Sequence, residues 1–208
     1  MLELRRLQIR HAKAAPLFAP LDLRIGAGQV GVVMGPSGVG KSTLLDAIGG
    51  HLSRDFTIDG DILLDGSHLA GLSPQARRIG VIFQDPVLFP HLSVGQNLSF
   101  AIPRAIRNRR DLVEKALSDA GMAGMSDRDP ATLSGGQMAR VALMRGLLAE
   151  PRALLLDEPF SKLDAALRSD LRAFTFAHVA KAGIPALLVT HDPQDADAAQ
   201  GPKVLLEA

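Results

Sequence analysis

The chain has 208 residues, of which 47% are hydrophobic and 22% are charged, and its formal net charge is +1. This length and composition are ordinary for a globular protein of one or two domains, and the near-zero net charge argues against a surface built for nucleic acid or anionic lipid. Because there is no cysteine, disulfides, thiolate metal sites and cysteine nucleophiles are excluded.

The chain also lacks the apolar segments that would place it inside a membrane. No stretch approaches the roughly 18 to 20 consecutive apolar residues of a membrane-spanning helix. Charged residues within the first ten positions argue against a secretory signal. Aromatic residues make up only 4% of the chain, with no Trp or Tyr, so stacking platforms for single-stranded nucleic acid are not expected. Any link to a membrane is therefore expected to run through a partner.

The first part of the chain shows strand patterns. Two early segments alternate apolar and polar residues, which predicts antiparallel strands, and three later ones are predicted as further strands. The predicted strands span residues 2–9, 21–25, 30–34, 61–66 and 79–83. Between the third and fourth of them, residues 41–48 form a predicted helix that Gly49 and Gly50 end.

The rest of the chain changes pattern twice. Residues 85–150 have helical periodicity with Pro, Gly and Asp at the breaks, whereas residues 153–156 and 186–189 return to continuous apolar runs typical of buried strands. This order predicts a single α/β domain over residues 1–208 with a mostly parallel sheet. We expect its core in residues 1–84 and 151–208, with an N-terminal antiparallel β subdomain, and an inserted helical subdomain in residues 85–150.

A glycine-rich loop follows the strand predicted at residues 30–34 and precedes the first helix. It matches the phosphate-binding pattern G-x-x-x-x-G-K-S, whose backbone N–H groups turn toward one point at the start of a helix. Lys41 supplies a full charge for the β- and γ-phosphates, the Ser42 hydroxyl is a ligand for Mg²⁺, and Thr43 is expected to reach the α-phosphate. The alternative is a strand-to-helix turn that merely uses glycine. The predicted ATP-binding residues are Gly35, Pro36, Ser37, Gly38, Val39, Gly40, Lys41, Ser42 and Thr43.

An acidic pair ends the apolar run at residues 153–156. Asp157 and Glu158 then lie at the carboxyl end of a buried strand, where ligands of α/β sheets collect. Asp157 is placed to hold Mg²⁺, and Glu158 is placed to polarise the attacking water. The alternative is a surface acidic pair that caps a strand.

A second glycine-bearing helix start lies between these two motifs. Ser134 is a good N-cap, and Gly135 and Gly136 leave the first-turn N–H groups open to an anion. The helix that follows is expected to carry Arg140 and Arg145 on its polar side. A plain serine-capped helix is the alternative, but it does not account for the position of Leu133-Ser134-Gly135-Gly136-Gln137 between two nucleotide motifs.

With these three motifs, nearly the whole chain resembles the ATP-binding subunit of an ABC transporter, of the binding-protein-dependent importer type. The resemblance implies a P-loop NTPase of the ABC type, a head-to-tail homodimer, and Ser134, Gly135, Gly136 and Gln137 acting in trans on ATP held by the other copy. It also implies roles for three residues outside the motifs. Gln84 would sense Mg²⁺ and the attacking water, His191 would grip the γ-phosphate and support Glu158, and Asp164 would link the two sites across the interface.

The resemblance further implies ATP hydrolysis that powers solute transport, with ATP and Mg²⁺ as ligands. The expected partners are membrane permease subunits and a solute-binding protein, at the cytoplasmic face of the cell membrane, without direct nucleic-acid contact. Leu88 and Phe89 are predicted to face the permease, although a packed loop is the alternative from the residues alone. The basic run at residues 104–110 is interpreted as a solvated helix face, with a phosphate- or lipid-binding role as the alternative.

The sequence departs from the family pattern at three places. No Tyr or Trp is present to stack on adenine, which leaves His11 or Phe18 as substitutes, and Lys162 replaces a small residue common in the loop before Asp164. The chain ends 17 residues after His191, so we expect no C-terminal regulatory domain. Two other functions stay open: a soluble ABC-type ATPase acting on nucleic acid or ribosomes, and a small-molecule P-loop kinase.

Overall fold

The computed structural model describes residues 1–207, which divide into two compact units. The first, here called the sheet unit, contains residues 1–81, 152–158 and the chain from Phe176 on; the second, the helical unit, contains residues 82–151 and 159–175. Among the described residues, none of the helices has the length and apolar content needed to cross a bilayer.

Nine strands and seven α-helices lie within residues 1–207. The strands are β1 (Leu2–His11), β2 (Leu21–Ile25), β3 (Val30–Met34), β4 (Phe56–Leu64), β5 (Ser67–His68), β6 (Ile79–Ile82), β7 (Ala153–Asp157), β8 (Ala186–Thr190) and β9 (Lys203–Leu205). The helices are α1 (Lys41–Gly49), α2 (Pro74–Arg77), α3 (Val94–Ala101), α4 (Arg109–Asp119), α5 (Gly135–Leu148), α6 (Ala165–Ala182) and α7 (Pro193–Ala198).

The strands form two sheets. An antiparallel sheet has the order β2-β1-β4-β5, and a five-stranded sheet has the order β6-β7-β8-β3-β9. In the second sheet β8 pairs in parallel with β3 and β7, and β9 pairs in parallel with β3. Every residue of β8 is buried, as expected for a parallel strand that helices cover on both faces. The predicted α/β class, with one antiparallel and one mostly parallel sheet, is confirmed.

The register of the parallel sheet brings three strand ends to one edge. Met34 at the end of β3 pairs with Thr190 at the end of β8, and Asp157 at the end of β7 pairs with Val189. The glycine loop, Glu158 and His191 directly follow these three strands, so the sheet places them close together at this edge.

One buried arginine fixes the far end of helix α1. The Arg77 guanidinium, 8% exposed, donates from Nη1 to the carbonyl oxygens of Ala47 (2.7 Å) and Ile48 (2.8 Å). Burial lowers the pKa of Arg77, whereas its position at the carboxyl end of a helix favours the positive charge. A cationic side chain thus satisfies carbonyls that α1 itself leaves unpaired.

Strand β4 differs from its prediction because it begins at Phe56 rather than at residue 61. Residues 57–61 are exposed, and the apolar-polar alternation of residues 56–59 is short and is interrupted by Gly60. They are held by pairing with β1, in which His11 lies opposite Phe56 and Ile9 opposite Ile58. The start of β4 therefore depends on its pairing with β1, which local sequence does not show.

The helical unit has its own core, formed by α3, α4 and α5. Arg140 and Arg145, predicted on the polar side of α5, are partly exposed and also contact other segments of this unit. Arg140 lies over the Phe174 ring at 4.7 Å and donates to the carbonyl of Ala120, while Arg145 lies over the Phe89 ring at 5.2 Å. Burial lowers the pKa of Arg145. Both guanidiniums tie segments of this unit together, which their spacing along α5 does not reveal.

The basic run at residues 104–110 is only partly a solvated helix face. Helix α4 begins at Arg109, and residues 104–108 precede it. Arg109 is half-buried and donates to the carbonyls of Ser99, Ile102 and Pro103, whereas its neighbour Arg110 is exposed. One arginine of the run is therefore a structural tie that closes the end of α3.

Candidate nucleotide site

The glycine loop joins β3 to α1 in the sheet unit and leaves the start of α1 open. Gly40 takes the N-cap position with φ of 101°, a left-handed conformation that favours glycine, and no side chain caps the helix. Gly35 is sterically required, because a Cβ there would lie 2.9 Å from Val39 Cγ1 and 3.0 Å from the Leu206 carbonyl oxygen. The N–H groups of the first turn are thus available to an anion.

Lys41 is held inside this loop. Its side chain is 7% exposed, and Nζ donates to the carbonyl oxygens of Gly35 and Pro36, each at 2.9 Å. Nζ also lies 4.0 Å from Glu158 Oε1. A buried ammonium with only two carbonyls and one distant carboxylate is suited to accept phosphate oxygens as stronger partners.

Ser42 and Asp157 meet at the carboxyl end of β7. Ser42 Oγ donates to Asp157 Oδ1 over 3.5 Å, a long contact that leaves both oxygens open to another ligand. Burial raises the pKa of Asp157, against the hydrogen bond from Ser42, and the nearby charges of Glu158 and Asp46 raise it further. The Ser42 hydroxyl and the Asp157 carboxylate, whose charge is only partly balanced by its neighbours, are ligands suited to Mg²⁺. Mg²⁺ binds few protein oxygens and keeps phosphate and water ligands.

Glu158 is held in an unusual conformation next to Asp157. Its φ is 44°, in the left-handed region that non-glycine residues seldom occupy, and its N–H donates to the carbonyl of Val189 at 3.0 Å. Its side chain contacts His191, with Nδ1 of the imidazole 2.9 Å from Oε2. The strained turn after β7 thus directs the carboxylate to the histidine after β8 and toward Lys41.

A second layer of polar contacts holds the turn that carries His191. Thr190 is 2% exposed and donates from Oγ1 to Asp195 Oδ2 at 3.3 Å, while Asp192 N–H donates to Thr190 Oγ1 at 3.0 Å. Sequence reasoning did not identify Thr190 or Asp195. The signal for them was local: Asp192 followed by Pro193 predicts a helix start directly after the strand.

The glycine loop and Glu158 line a cleft of about 260 Å³, formed by seven residues of the sheet unit. The lining residues are Ser37, Gly38, Gly40, Lys41, Ser42, Thr43 and Glu158. The structure therefore brings the predicted glycine loop together with Glu158, and through Glu158 with His191. Ionisable and hydroxyl groups converge here on a helix start, an arrangement suited to phosphate chemistry.

The helix start at Ser134 lies in the helical unit and is a complete capping box. Ser134 Oγ accepts from Gln137 N–H at 3.3 Å, and Gln137 Oε1 accepts from Ser134 N–H at 2.9 Å. Gly135 is exposed, whereas Gly136 is buried against Leu167, where an added Cβ would lie 2.6 Å from Leu167 Cδ1. The first glycine leaves the backbone accessible, and a side chain at the second would displace the Leu167 methyl groups.

The other predicted residues of the helical unit lie on loops. Gln84 follows β6 and donates from Nε2 to Ser161 Oγ at 3.0 Å. Asp164 precedes α6 and accepts from Leu167 N–H at 3.0 Å, as an N-terminal cap does. Lys162, between them, pairs with Asp85. Sequence reasoning predicted Gln84 and Asp164 separately and did not foresee the contacts of Ser161 and Lys162.

The prediction that Phe18 can stack on adenine needs correction, whereas the permease-facing role of Leu88 and Phe89 stays a prediction. Phe18 is 2% exposed in the core of the sheet unit, so its ring is not available to stack on adenine; His11 is exposed, with its ring edge-on to Phe56 at 4.9 Å. Leu88 and Phe89 are half-buried in the helical unit. The apolar side chains most exposed in the same unit are Phe83 (56%), Val87 (60%) and Phe100 (67%).

Comparison with known proteins agrees with this geometry. The family model described as ABC transporter matches residues 18–161. The uncharacterized ABC transporter ATP-binding protein YnjD of Escherichia coli (strain K12) is 47% identical over 88% of this chain and 85% of its own length. The aliphatic sulfonates import ATP-binding protein SsuB 2 of Burkholderia cenocepacia (strain HI2424) is 46% identical over 86% of this chain, which spans 64% of that relative.

A solved structure extends the comparison to the fold. The dimeric post-hydrolysis state of the ATP-binding cassette MJ0796, bound to ADP and Pi, has a TM-score of 0.79 and 28% identity over 100% of this chain and 94% of that one. The predictions of family, fold and ATP-driven transport are confirmed, and nothing supports a soluble ATPase acting on nucleic acid or ribosomes. The chain therefore belongs to the ABC transporter family and is an ATP-binding subunit of the importer type.

Proposed function

We propose that this chain hydrolyses Mg-ATP to power solute import, as a homodimer bound to a membrane permease at the cytoplasmic face of the membrane. A solute-binding protein completes the proposed transporter. The observation that carries the proposal is the convergence of Lys41, Ser42 and Glu158 on one cleft at the start of α1, with Asp157 and His191 adjoining them. The import relatives supply its direction.

Phosphate binding begins with an exchange of partners at Lys41. The ammonium group leaves the carbonyls of Gly35 and Pro36 for the β- and γ-phosphates of ATP, which carry full negative charge. The open N–H groups at the start of α1 bind the same phosphates, and the helix dipole adds a partial positive charge.

Ser42 and Asp157 are the residues that would hold Mg²⁺, with Gln84 as a further proposed ligand. When bound, Mg²⁺ supplies positive charge that neutralises the phosphates. Burial disfavours the charged form of Asp157 in the protein without ligand. A bound cation would stabilise that charged form.

Glu158 is the proposed base for the attacking water. Its carboxylate is oriented by the imidazole of His191 at 2.9 Å and faces the Lys41 ammonium at 4.0 Å. The left-handed backbone sets the direction in which the side chain leaves the chain, and the His191 contact orients the carboxylate before substrate arrives, so less ordering is needed in the transition state. His191 thereby positions the base and is proposed to contact the γ-phosphate.

The helical unit contributes the second surface. In the proposed head-to-tail dimer Ser134, Gly135, Gly136 and Gln137 of one copy close over ATP bound to the other, and Asp164 lies at the interface. Support comes from the open backbone at Gly135 and from the dimeric state of the MJ0796 cassette. The exposed side chains of Phe83, Val87 and Phe100 are the proposed permease contact.

The substitution Glu158→Gln tests the chemistry. It keeps the shape of the side chain and removes its basicity, so ATP binding is expected to persist while turnover falls by at least about 100-fold, within the range for general bases. Phosphate release without any acceptor measures turnover, and light scattering with Mg-ATP should show an accumulated dimer. Glu114→Gln, an exposed position on α4, is the matched control and should behave as wild type.

A Glu158→Gln protein that still hydrolyses ATP at the wild-type rate would remove Glu158 from the role. A wild-type protein that transfers phosphate only to a small-molecule acceptor would instead support a kinase.

A further inference from the structure

Two side-chain contacts join the segment after β6 to the loop before α6, both within the helical unit. Gln84 Nε2 donates to Ser161 Oγ at 3.0 Å, and Lys162 Nζ forms an ion pair with the Asp85 carboxylate. Adjacent residues on one side thus contact adjacent residues on the other, so the two contacts act on the same short stretch of backbone.

The loop before α6 is a firm support for these contacts. Arg168 of α6 donates from Nε to the carbonyl of Phe160 and from Nη2 to the carbonyl of Ser161, each at 3.0 Å. The segment after Gln84 is fixed as well, because Arg145 of α5 donates to the carbonyl of Val87. Gln84 and Asp85 are therefore held by their side chains to the loop before α6, and two residues later the backbone is held at Val87.

A glutamine side chain has three rotatable bonds, so holding it in one orientation costs conformational entropy. With Nε2 hydrogen-bonded to Ser161, the carbonyl oxygen Oε1 becomes the atom that Gln84 offers to a cation or a water. The neighbouring ion pair restrains the backbone from which that side chain extends.

We propose that Lys162 is a positioning residue for ATP hydrolysis, which acts through Asp85 to keep Gln84 on Ser161 with Oε1 presented to the reaction. The inference rests on the proposed function, in which Gln84 acts at the metal and the attacking water. Lys162 itself contacts neither ATP nor the attacking water in this scheme. Its contribution is ordering of Gln84 before the chemical step.

Steady-state ATP hydrolysis by the full chain tests the assignment. Lys162→Ala should lower kcat about two- to five-fold, the range that an exposed ion pair can supply, and leave KM for ATP within about two-fold. Lys162→Arg should keep the wild-type kcat, and the exchanged pair Asp85→Lys with Lys162→Asp should recover most of it. Both side chains are more than half exposed, at 54% and 70%, so these variants are expected to fold.

The matched control is Lys203→Ala, which removes another exposed ion pair, with Asp197 at 3.1 Å, in the sheet unit. Its kcat should be unchanged. Ser161→Ala should reproduce the loss seen with Lys162→Ala, and the double variant should lose no more than about the larger single effect, because both act on one amide. Added NaCl should narrow the difference between wild type and Lys162→Ala, since salt screens exposed charges.

An unchanged kcat in Lys162→Ala, or an exchanged pair that recovers nothing, would overturn the positioning role while leaving ATP hydrolysis by the wild type intact. Full additivity of Ser161→Ala and Lys162→Ala would also overturn it. A wild-type chain without ATP hydrolysis would instead overturn the proposed function and this inference together.

Discussion

At the scale of single residues, burial of Asp157 places a carboxyl group of the candidate site where its charged form is disfavoured. Burial raises the pKa of its carboxyl group, and the long hydrogen bond from Ser42 offsets this only in part. A carboxylate that the fold disfavours is consistent with a group awaiting a cation. The same feature gives the unfolding free energy a defined dependence on pH.

The sign of that dependence follows from which state releases its proton first. Below the ordinary pKa of aspartate, about 3.9, the carboxyl is neutral in both states and has no effect on stability. As pH rises from there to the raised folded pKa, the unfolded chain ionises first, so the unfolding free energy decreases. Above the folded pKa the decrease is complete and persists at neutral pH.

Asp157→Asn is therefore expected to raise Tm of the protein at pH 7 without Mg²⁺ or nucleotide. Because solvent screens the partly exposed group, the rise should not exceed about 2–4 °C, the shift for roughly 1 kcal/mol in a chain of this size. Thermal unfolding followed by circular dichroism measures it, and the advantage of the variant should vanish below about pH 4. The variant should also lose Mg²⁺-dependent hydrolysis.

Asp127→Asn, at an exposed position in the helical unit, is the control and should leave Tm nearly unchanged. A lower Tm for Asp157→Asn at pH 7 would contradict this account of the carboxyl.

At the scale of elements, helix α5 illustrates how local chemistry shapes the start of a helix. Its N-terminus is closed by reciprocal bonds between Ser134 and Gln137, while Gly135 leaves the next backbone group accessible. Farther along, Arg140 and Arg145 join the same helix to Phe174 and to Phe89. One helix thus combines an exposed start with two partly buried arginines that contact other segments of the helical unit.

The cap gives a stability prediction for this element. Ser134→Ala removes the oxygen that accepts from Gln137 N–H and should lower the unfolding free energy by about 1 kcal/mol, as typical N-caps do. Urea unfolding measures the loss. Ser169→Ala, at an exposed interior position of α6, removes no cap and should be neutral or slightly stabilising. Equal effects of the two substitutions would show that the capping box adds nothing.

At the scale of the whole molecule, the proposed dimer makes each ATP site a product of two copies. Ser134→Arg should abolish hydrolysis by placing a bulky cation at the helix start, and Lys41→Ala should abolish it by removing the phosphate ligand. A dimer with one copy of each variant contains one site in which both surfaces are intact.

Equal mixing of the two inactive variants should therefore restore hydrolysis. Random pairing makes about half of the dimers mixed, each with one of two sites intact, so activity should reach about a quarter of the wild-type value. Phosphate release in a titration of one variant into the other measures it. Activity that stays at zero at every ratio would argue against action in trans, as would residual hydrolysis by Ser134→Arg alone.

The sequence by itself determined the features that depend on chain neighbours. A glycine loop between a buried strand and a helix, an acidic pair after an apolar run, and Ser134 three residues before Gln137 are local patterns with local physical causes. They identified the α/β class and the nucleotide chemistry, and the resemblance they support is confirmed by the family comparison.

Only the tertiary structure decided which distant side chains share a partner. The burial of Phe18, the partial burial of Arg145 and the Lys162 ion pair with Asp85 depend on residues far apart in the chain. The resemblance implied that His191 supports Glu158, and the structure adds the distance of 2.9 Å between them. Periodicity describes which face of its own element a residue occupies, and it contains no information on what packs against that face. Distance in space, and with it burial and charge pairing, is set by strand order and loop closure.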